Sequence, residues 1–415
     1  MVVFKPFKAL RPKNQELAEK IASLPYDVIN SEEAHELAKD NQYSFLHIVK
    51  PEIDLDRSIN PYDDVVYAKA KENFEKFRNL SWLIQDSKPY FYIYRQTMEN
   101  RSQYGLVGCV SAEDYWNDYI KKHELTRKDK EKDRIRHVDT LDANAGPVFL
   151  FYPRKSEIDK IIQTQIKQAP LYDFTSQDDI SHIVWRIDEK NLCDKIVDHF
   201  AQIPHIYIAD GHHRTASGAI VAKKRKKANP NHTGDEEYNF FLAVLFPAED
   251  LHILDYNRVV KDLNGLSSEE FLQRVSEKFD IISDYKERKS QKKNTFGMYL
   301  DKKWYLLTAK PRTYDTNDPI KSLDISILQD NLLSPILNIQ DPRTDKRIDF
   351  IGGIRGMTEL ERRVNNGEMR LAFSIYPTNI TELMKVAEAG LQMPPKSTWF
   401  EPKLRSGLLI HVYNE

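Results

Sequence analysis

Apolar positions along this chain form two kinds of segment, short continuous runs and helically spaced stretches, and these follow one another over most of its length. Continuous runs of strand length include "PVFLFYP", "SHIVWRID", "HIYIAD" and "NFFLAVLFP". Apolar residues recur every three or four positions in "PYDDVVYAKAKENFEKFRNLSWL" and "EKNLCDKIVDHFAQI", which predicts amphipathic helices. Strands that alternate with helices favour mixed sheets with covering helices over an all-helical bundle. We therefore predict an α+β fold.

The same pattern predicts three regions. Residues 1–115 contain a helix in "NSEEAHELAKDN" capped by Asn30 or Ser31, a strand in "SFLHIVKPE", and a hairpin in "PYFYIYRQTMENRSQYGLVGCVS". Residues 116–285 contain a highly charged helix and successive strand and helix pairs. Residues 286–415 contain a hairpin in "FGMYLDKKWYLLTA", the loop "MPPKSTWFEPKLRS" and a last strand in "GLLIHVYN".

Composition narrows the classes of protein that need to be considered. The 61 basic and 63 acidic side chains of the 415-residue chain nearly cancel, so no overall field favours nucleic acid or an anionic membrane. Two cysteines, Cys109 and Cys193, are too few for a disulfide framework or a structural zinc site. No run approaches the roughly 18 apolar residues of a membrane span. We expect a cytoplasmic protein without nucleic-acid or membrane partners, and the sequence leaves its oligomeric state open.

The stretch "HIYIADGHHRTASGAIVAKK" contains the largest concentration of candidate functional residues. Gly211 allows a tight turn between a strand and a helix, and the first N–H groups of that helix have no partners within it. With the helix dipole behind them, and with His212, His213 and Arg214 beside them, these N–H groups are suited to phosphate oxygens. Asp210, at the end of the strand, is placed to hold Mg²⁺ or to accept a proton.

Two other interpretations of this turn stay open. The first is a transition-metal site, although adjacent histidines point in different directions, so His212 and His213 are poorly placed to bind the same ion. The same residues are also consistent with a polar turn whose groups satisfy one another.

The loop "MPPKSTWFEPKLRSG" is a second candidate anion site. Prolines stiffen it, and its hydroxyls and cations could wrap a polyanion; the residues concerned are Lys396, Ser397, Thr398, Lys403 and Arg405. It lacks the glycine framework of a Walker A loop. A solvated basic loop is the alternative.

Two further stretches could contribute to a site. In "HELTRKDKEKDRIRHVDTLDANAGP", a solvent-exposed helix with ion pairs four residues apart explains most charges, although Arg127, Lys130 or Arg134 could reach over an anion pocket. In "LPYDVINSEE" and "YSFLHIVKPE", the residues Tyr26, Asp27 and His47 could recognise a small polar substrate. Asp27 is most simply explained as a turn or capping residue.

Five motifs together resemble one family. "LPYDVI", "YSFLHIVKPE", "YIADGHHRTA", "LDANAGPVFLFY" and "MPPKSTWFEPKLRSGLLIH" occur in this order between Phe4 and His411, and they look like the markers of a bacterial and protist family with a DGHHR signature. Some of its members are inorganic pyrophosphate-dependent serine kinases. The resemblance also implies a distant likeness to free-serine kinases, and hence a ParB/sulfiredoxin-like catalytic core.

The resemblance implies a phosphotransferase that moves a phosphoryl group from pyrophosphate to the hydroxyl of free L-serine, with Mg²⁺. In this hypothesis the turn at 210–214 and the loop at 396–405 bind the donor, while Tyr26, Asp27 and His47 bind serine. Asp210 is the general base or the Mg²⁺ ligand, acting with His213 and Arg214. The alternatives are an ATP- or ADP-dependent kinase, a non-enzymatic ParB-like binding protein, and a metal-dependent hydrolase.

Overall fold

The computed structural model describes residues 1–414, and the chain forms two compact units. One unit comprises Met1–Leu251 together with the chain from Pro402 onward, and the other comprises His252–Glu401. The second unit is therefore an insertion in the sequence of the first. Helices and strands occur in both units, and the sheets include parallel and antiparallel pairs, which confirms the predicted α+β class with mixed sheets.

The strands of the first unit form two sheets. Their bounds are β1 Phe4–Lys5, β2 Ala9–Pro12, β3 Leu83–Gln85, β4 Phe91–Met98, β5 Arg101–Ser111, β6 Ile120–Lys121, β7 Ala143–Asn144, β8 Val148–Tyr152, β9 Tyr172–Thr175, β10 Ser181–Ile187, β11 Ile206–Asp210, β12 Phe240–Pro247 and, after the insertion, β21 Ile410–Val412. The larger sheet has the order β6-β11-β8-β12-β5-β4-β10-β9, with β1 also paired to β5, and the smaller has the order β3-β2-β21-β7.

The helices of the first unit cover these sheets. Their bounds are α1 Gln15–Ile21, α2 Ser31–Ala38, α3 Leu46–Val49, α4 Asp64–Asn79, α5 Ala112–Trp116, α6 Lys128–Leu141, α7 Ser156–Gln165, α8 Lys190–Ala201 and α9 His212–Ala228, with 3-10 turns at Pro51–Asp54, Glu237–Asn239 and Ala248–Asp250. The apolar faces of α7 and α8 pack on the larger sheet, where Ile158 and Phe200 are fully buried. The face of α4 packs on the smaller sheet through Phe74 and Phe77.

The second unit has its own core. Its strands are β13 His252–Leu254, β14 Tyr256–Val260, β15 Phe279–Ser283, β16 Thr295–Leu300, β17 Lys303–Ala309, β18 Ile348–Gly352, β19 Leu371–Ile375 and β20 Trp399–Glu401. Its helices are α10 Ser268–Lys278, α11 Asp324–Leu328, α12 Gly356–Asn365 and α13 Ile380–Glu388, with a 3-10 turn at Gly353–Arg355 and a π-helical turn at Gln329–Leu333. A six-stranded sheet has the order β15-β17-β16-β19-β14-β18, and β13 pairs with β20.

Local signals in the sequence account for several of these elements. The side chain of Asn30 caps α2 and Glu33 bonds back to its amide, and Ser267 and Glu270 form the same box at α10. The hairpin of β16 and β17 turns at Asp301 and Lys302, which have φ values of 50° and 62°. Positive φ at both central residues matches the twist of a two-residue hairpin.

One predicted element is wrong. "SFLHIVKPE" was expected to form a strand, but residues 46–49 form α3. The buried apolar residues are Phe45, Leu46, Ile48 and Val49, so pairs three positions apart share a face, as they do in a helix. A run this short does not distinguish the two periods.

The predicted borders at residues 115 and 285 do not coincide with the two compact units. Strand β5, from the first predicted region, pairs with β12, from the second, so both regions share one sheet. The chain after Pro402 returns to that unit because β21 pairs with β2 and β7. Pairing between strands so far apart in the sequence cannot be predicted from the composition of either segment.

Gly407 fixes the path of the returning chain. It has φ of +88°, and a Cβ at this position would lie 2.7 Å from Cγ of Phe45 and 2.9 Å from Cγ2 of Ile21. Just before it, Ser406 and Ser23 exchange backbone hydrogen bonds of 2.9 and 3.1 Å. The glycine is therefore required by both its conformation and its close contacts.

Replacing Gly407 with Ala should lower the free energy of unfolding by about 2–4 kcal/mol, because backbone strain and overpacking add. Gly234 is a matched control, since its φ is +104° but nothing lies within 4 Å of its Cβ position. Gly234→Ala should cost only the strain, about 1 kcal/mol. Urea denaturation of both variants measures the difference, and equal losses would contradict the packing argument.

Candidate functional site

The turn at residues 210–214 lies where β11 ends and α9 begins. Gly211 has φ of +90°, and a Cβ there would lie 3.2 Å from Nε of Arg214. Only glycine combines this backbone with such close approach of a guanidinium. The helix that follows runs for 17 residues, so its dipole and unpaired amides are directed at this turn.

Arg214 is held at the turn by its surroundings. Its side chain is 11% exposed, and its NH2 group lies 3.6 Å from Oδ2 of Asp27. Its NH1 group donates a 2.5 Å hydrogen bond to the carbonyl of Pro147, in the "LDANAGP" motif. Its Nε is buried and has no hydrogen-bond partner among residues 1–414. A buried donor without a partner is costly, which points to an acceptor supplied by a ligand or water.

Asp210 has both carboxylate oxygens engaged. Oδ1 accepts a hydrogen bond of 2.8 Å from the amide of Gly211, and Oδ2 lies 3.1 Å from Nζ of Lys403. Burial opposes ionisation of this carboxyl, but the charges of Lys403 and Arg214 outweigh it and hold the pKa of Asp210 well below its usual range. An ionised, paired carboxylate is a weak base. The geometry therefore favours a role for Asp210 in holding Lys403 at the turn.

His213 lies at the rim of the turn as a neutral group. Its Nε2 accepts a hydrogen bond of 3.0 Å from the amide of Arg127, which leaves the proton on Nδ1. Burial lowers the pKa of His213. Its imidazole can therefore donate one hydrogen bond to an anion from Nδ1 at neutral pH.

His212 faces the interior and not the rim. It packs against His123, with ring centroids 4.5 Å apart, and its Nε2 has no partner among residues 1–414. His123 is 1% exposed, and neither of its nitrogens has a partner there. Burial lowers the pKa of His123 to about 4 and holds the pKa of His212 well below its usual value. Sequence reasoning missed His123, because it stands alone in a charged stretch with no motif around it.

Residues from all five motifs meet beside Arg214. A small cavity of about 30 Å³ is lined by Arg134 and by one or more residues of each motif, among them Tyr26, Val49, Gly146, Arg214 and Ser406. The guanidinium of Arg134 stacks 3.9 Å from the ring centroid of Tyr26. A Cβ on Gly146 would lie 3.1 Å from Oγ of Ser406, so the backbone of this motif approaches closely.

Other predicted site residues have separate partners. The ring of His47 bonds to Oδ1 of Asp54 at 2.8 Å and to the carbonyl of Asn41 at 3.1 Å. Arg405 is buried, where it pairs with Asp178 and donates to Ser176. The structure gives these two residues structural contacts, and their predicted roles in ligand binding stay predictions.

The remaining residues of the C-terminal loop belong to the other unit. Lys396, Ser397 and Thr398 lie within His252–Glu401, whereas Lys403 and Arg405 lie in the first unit. Of the predicted cations, Arg127 is exposed and pairs with Asp129, and Lys130 is half-buried and donates to the hydroxyl of Tyr62.

The side chains present do not form a resident metal site. Within residues 1–414, no group of three or more His, Cys, Asp or Glu side chains is arranged to hold a metal ion. Both oxygens of Asp210 are already used, and a cation, Lys403, stands where a metal would bind. Mg²⁺ commonly enters phosphoryl-transfer sites bound to the phosphates themselves, and that route is the one compatible with these residues. As for membranes, the part of the chain described contains no helix long and apolar enough to cross one.

The family described as "Protein of unknown function (DUF1015)" matches residues 4–326, more than half of the chain. The chain belongs to this family. The match supports the family resemblance seen in the motifs, and the pyrophosphate-dependent activity stays a prediction. No curated protein matches the chain.

Several solved structures show weak similarity. A conserved hypothetical protein from Pyrococcus furiosus is 14% identical with a TM-score of 0.35, and the alignment covers 70% of this chain and 91% of that one. A free serine kinase in complex with AMP is 15% identical with a TM-score of 0.35, covering 70% and 89%. SbnI from Staphylococcus aureus, with a C-terminal truncation, is 11% identical with a TM-score of 0.38, covering 74% and 87%. Scores this low do not establish a common fold, so the ParB/sulfiredoxin-like core also stays a prediction.

Replacing Asp210 with Asn should lower the free energy of unfolding at neutral pH, because Lys403 and Arg214 lose their counter-charge. A carboxylate with a depressed pKa stabilises the fold above the usual carboxyl pKa of about 4, and that stabilisation fades as the pH falls below it. The difference between wild type and variant should therefore shrink between pH 7 and pH 3 in urea denaturation. Asp198→Asn, at an exposed position on α8, is the control. A pH-independent difference would contradict the ionic argument.

Proposed function

We propose that this protein transfers a phosphoryl group from inorganic pyrophosphate to the hydroxyl of free L-serine, giving O-phosphoserine and orthophosphate. The observation that carries the proposal is Arg214, a fixed guanidinium with an unpartnered buried Nε at the start of a long helix. Phosphoryl transfer needs positioning and positive charge around the phosphoryl oxygens more than it needs covalent chemistry from the protein. The turn supplies that charge through Arg214, Lys403 and the amides of α9.

The donor and acceptor in this proposal come from the motif resemblance. The sequence contains no glycine framework of a Walker A loop, which is compatible with a donor that has no adenosine. Mg²⁺ would arrive as part of the pyrophosphate complex, where it neutralises phosphate charge. Tyr26 and Asp27 would bind serine, since Asp27 already lies 3.6 Å from Arg214.

The proposed step is a single displacement. Oγ of serine attacks the nearer phosphorus of pyrophosphate, the bond from that phosphorus to the bridging oxygen breaks, and orthophosphate leaves. The hydroxyl proton goes to a carboxylate. Asp27 is the better acceptor, because its side chain is 31% exposed and its contact with Arg214 is long, whereas both oxygens of Asp210 are engaged. Asp210 would instead keep Lys403 directed at the phosphates.

A phosphoserine assay tests the reaction class and the donor together. The purified protein is incubated with L-serine and Mg²⁺ and with pyrophosphate, ATP, ADP or no donor. The proposal expects phosphoserine with pyrophosphate. Product with ATP or ADP alone would replace the donor and keep the reaction class, and no product with any donor would overturn the proposal.

Arg214→Ala should abolish turnover, with a loss of about 10³-fold or more in kcat/KM, because the charge that stabilises the transition state is removed. The variant should still fold, because the lost side chain makes one hydrogen bond, to the carbonyl of Pro147, and one long ion pair, with Asp27. Lys226→Ala removes an exposed cation from the same helix and is the matched control, expected to keep full activity. Normal turnover by Arg214→Ala would remove the centre of the proposal.

Asp27→Asn should lower kcat by about 10²–10⁴-fold, the usual contribution of a general base, with little change in the KM for pyrophosphate. Steady-state kinetics with each substrate varied in turn measures both constants. A selective rise in the KM for serine, with kcat preserved, would assign Asp27 to substrate binding and not to proton transfer.

A further inference from the structure

The 252–401 unit contains a polar cleft between the loop that follows β17 and the helical segment of residues 324–333. Its volume is about 460 Å³, which is within the range of binding sites for small molecules. The lining includes two cations, Arg312 and Lys321, and two carboxylates, Asp315 and Asp330. One aliphatic side chain, that of Ile327, lines it as well, and its other lining residues carry hydroxyl or amide groups. The cleft is therefore suited to a polar ligand.

Hydrogen bonds fix the two walls of the cleft relative to each other. Asn331 is buried, and its side-chain amide donates to the carbonyl of Thr313, in the loop, at 3.1 Å and to that of Ile327, in the helix, at 3.0 Å. The hydroxyl of Tyr314 accepts a hydrogen bond of 2.8 Å from the side-chain amide of Asn294. Because these bonds hold the loop on the helix, a ligand would meet a site that is already ordered.

A π-helical turn forms the wall that carries Asp330 and Asn331. It spans Gln329–Leu333, and the amide of Ser334 donates to the carbonyl of Gln329, five residues earlier, at 2.9 Å. Turns of this kind are rare and frequently occur at functional sites. Here the two neighbouring residues both line the cleft, so the turn presents a carboxylate and an amide to the same space.

Arg312, on the loop, has a strained backbone. Its φ is 71°, a conformation that a residue with a long side chain seldom adopts. Glycine would adopt it without strain. The side chain is exposed, and within residues 1–414 its guanidinium has neither a hydrogen-bond acceptor nor an ion-pair partner. Because backbone strain clusters at ligand sites, an arginine here indicates a role for its guanidinium.

The charges that line the cleft are of both signs. Partial burial raises the pKa of Asp330, and the nearby ammonium of Lys321 opposes that rise. Asp315 accepts a hydrogen bond of 2.9 Å from the amide of Asn317 and lines the same cleft. A simple anion would meet both carboxylates, and a simple cation would meet both Arg312 and Lys321. A ligand with one charge of each sign matches this lining.

We propose that this cleft binds a free α-amino acid, with Arg312 donating to its carboxylate and Asp330 accepting from its ammonium group. A guanidinium matches a carboxylate through two parallel hydrogen bonds. The hydroxyl and amide groups of the lining favour a polar side chain on the ligand, because Ile327 alone offers an aliphatic contact. The proposal does not depend on the proposed kinase activity, since the turn at residues 210–214 belongs to the other unit.

Calorimetric titration of the full chain tests the proposal. The probes are the common L-amino acids and O-phospho-L-serine, and the methyl ester and N-acetyl derivative of the tightest binder remove its carboxylate and its ammonium charge. We expect saturable binding that each derivative weakens by about tenfold or more, and that Arg312→Met and Asp330→Asn each weaken as much. Arg274→Met, which removes an exposed cation from α10, is the matched control and should keep the affinity of the wild type.

A second variant at the same position separates binding from stability. Arg312→Gly relieves the backbone strain, so it should keep or raise the melting temperature and still lose affinity. A merely structural role for Arg312 would instead lower the melting temperature of Arg312→Met and leave the affinity of the folded protein unchanged.

The titration is repeated in a chain that carries both Asp27→Asn and Arg214→Ala, where serine bound at the turn no longer contributes. The affinity should be kept there. Binding confined to the wild type would place the amino acid at the turn and overturn the proposal, as would unchanged affinity in Arg312→Met or Asp330→Asn, or no binding of any probe. If Asp330→Asn does not fold, Arg312→Met alone decides. A failed phosphoserine assay would leave each of these outcomes unchanged.

Discussion

The ion pair between Asp210 and Lys403 holds together the segments of the first unit that form the candidate site. It joins residues 193 positions apart, and the same carboxylate caps the amide of Gly211. The pair thus connects the end of β11, the start of α9 and the returning C-terminal segment in one place. Because each partner neutralises the other, the turn can keep Arg214 unsatisfied nearby without a second uncompensated charge. The negative charge of Asp210 therefore offsets part of the cost of burying Lys403 and Arg214 at the turn.

Sequence reasoning located the turn because its signal is local. A glycine between a strand and a helix, followed by donors, needs no knowledge of distant residues. The direction of each histidine was not available in the same way: His213 lies at the rim and His212 points inward, since a helix separates neighbours by about 100° and tertiary packing decides which face is covered. His123 was missed for the same reason, because only the folded chain brings it against His212. The two compact units were hidden by strand pairing between distant segments.

Each unit contains a largely buried arginine that is not fully paired with carboxylates. Arg214 has one distant carboxylate and an unpartnered Nε, and Arg258 has only carbonyls. Desolvating a cation during folding means that a bound anion meets donors already oriented and already stripped of water. The fold is less stable for it, and at Arg214 this loss of stability falls where the proposed reaction would develop charge.

The order of strands in the smaller sheet has a consequence for synthesis. β21 lies between β2 and β7, so these two strands have no common partner until residues 410–412 exist. A ribosome releases the chain from the N-terminus, and the whole inserted unit emerges before this strand. Lys403 also arrives only then. A nascent chain can therefore form the larger sheet early and still lack Lys403 at the turn of residues 210–214. The site is complete only after the segment beyond Pro402 has been translated. A product truncated before that segment would carry an incomplete site.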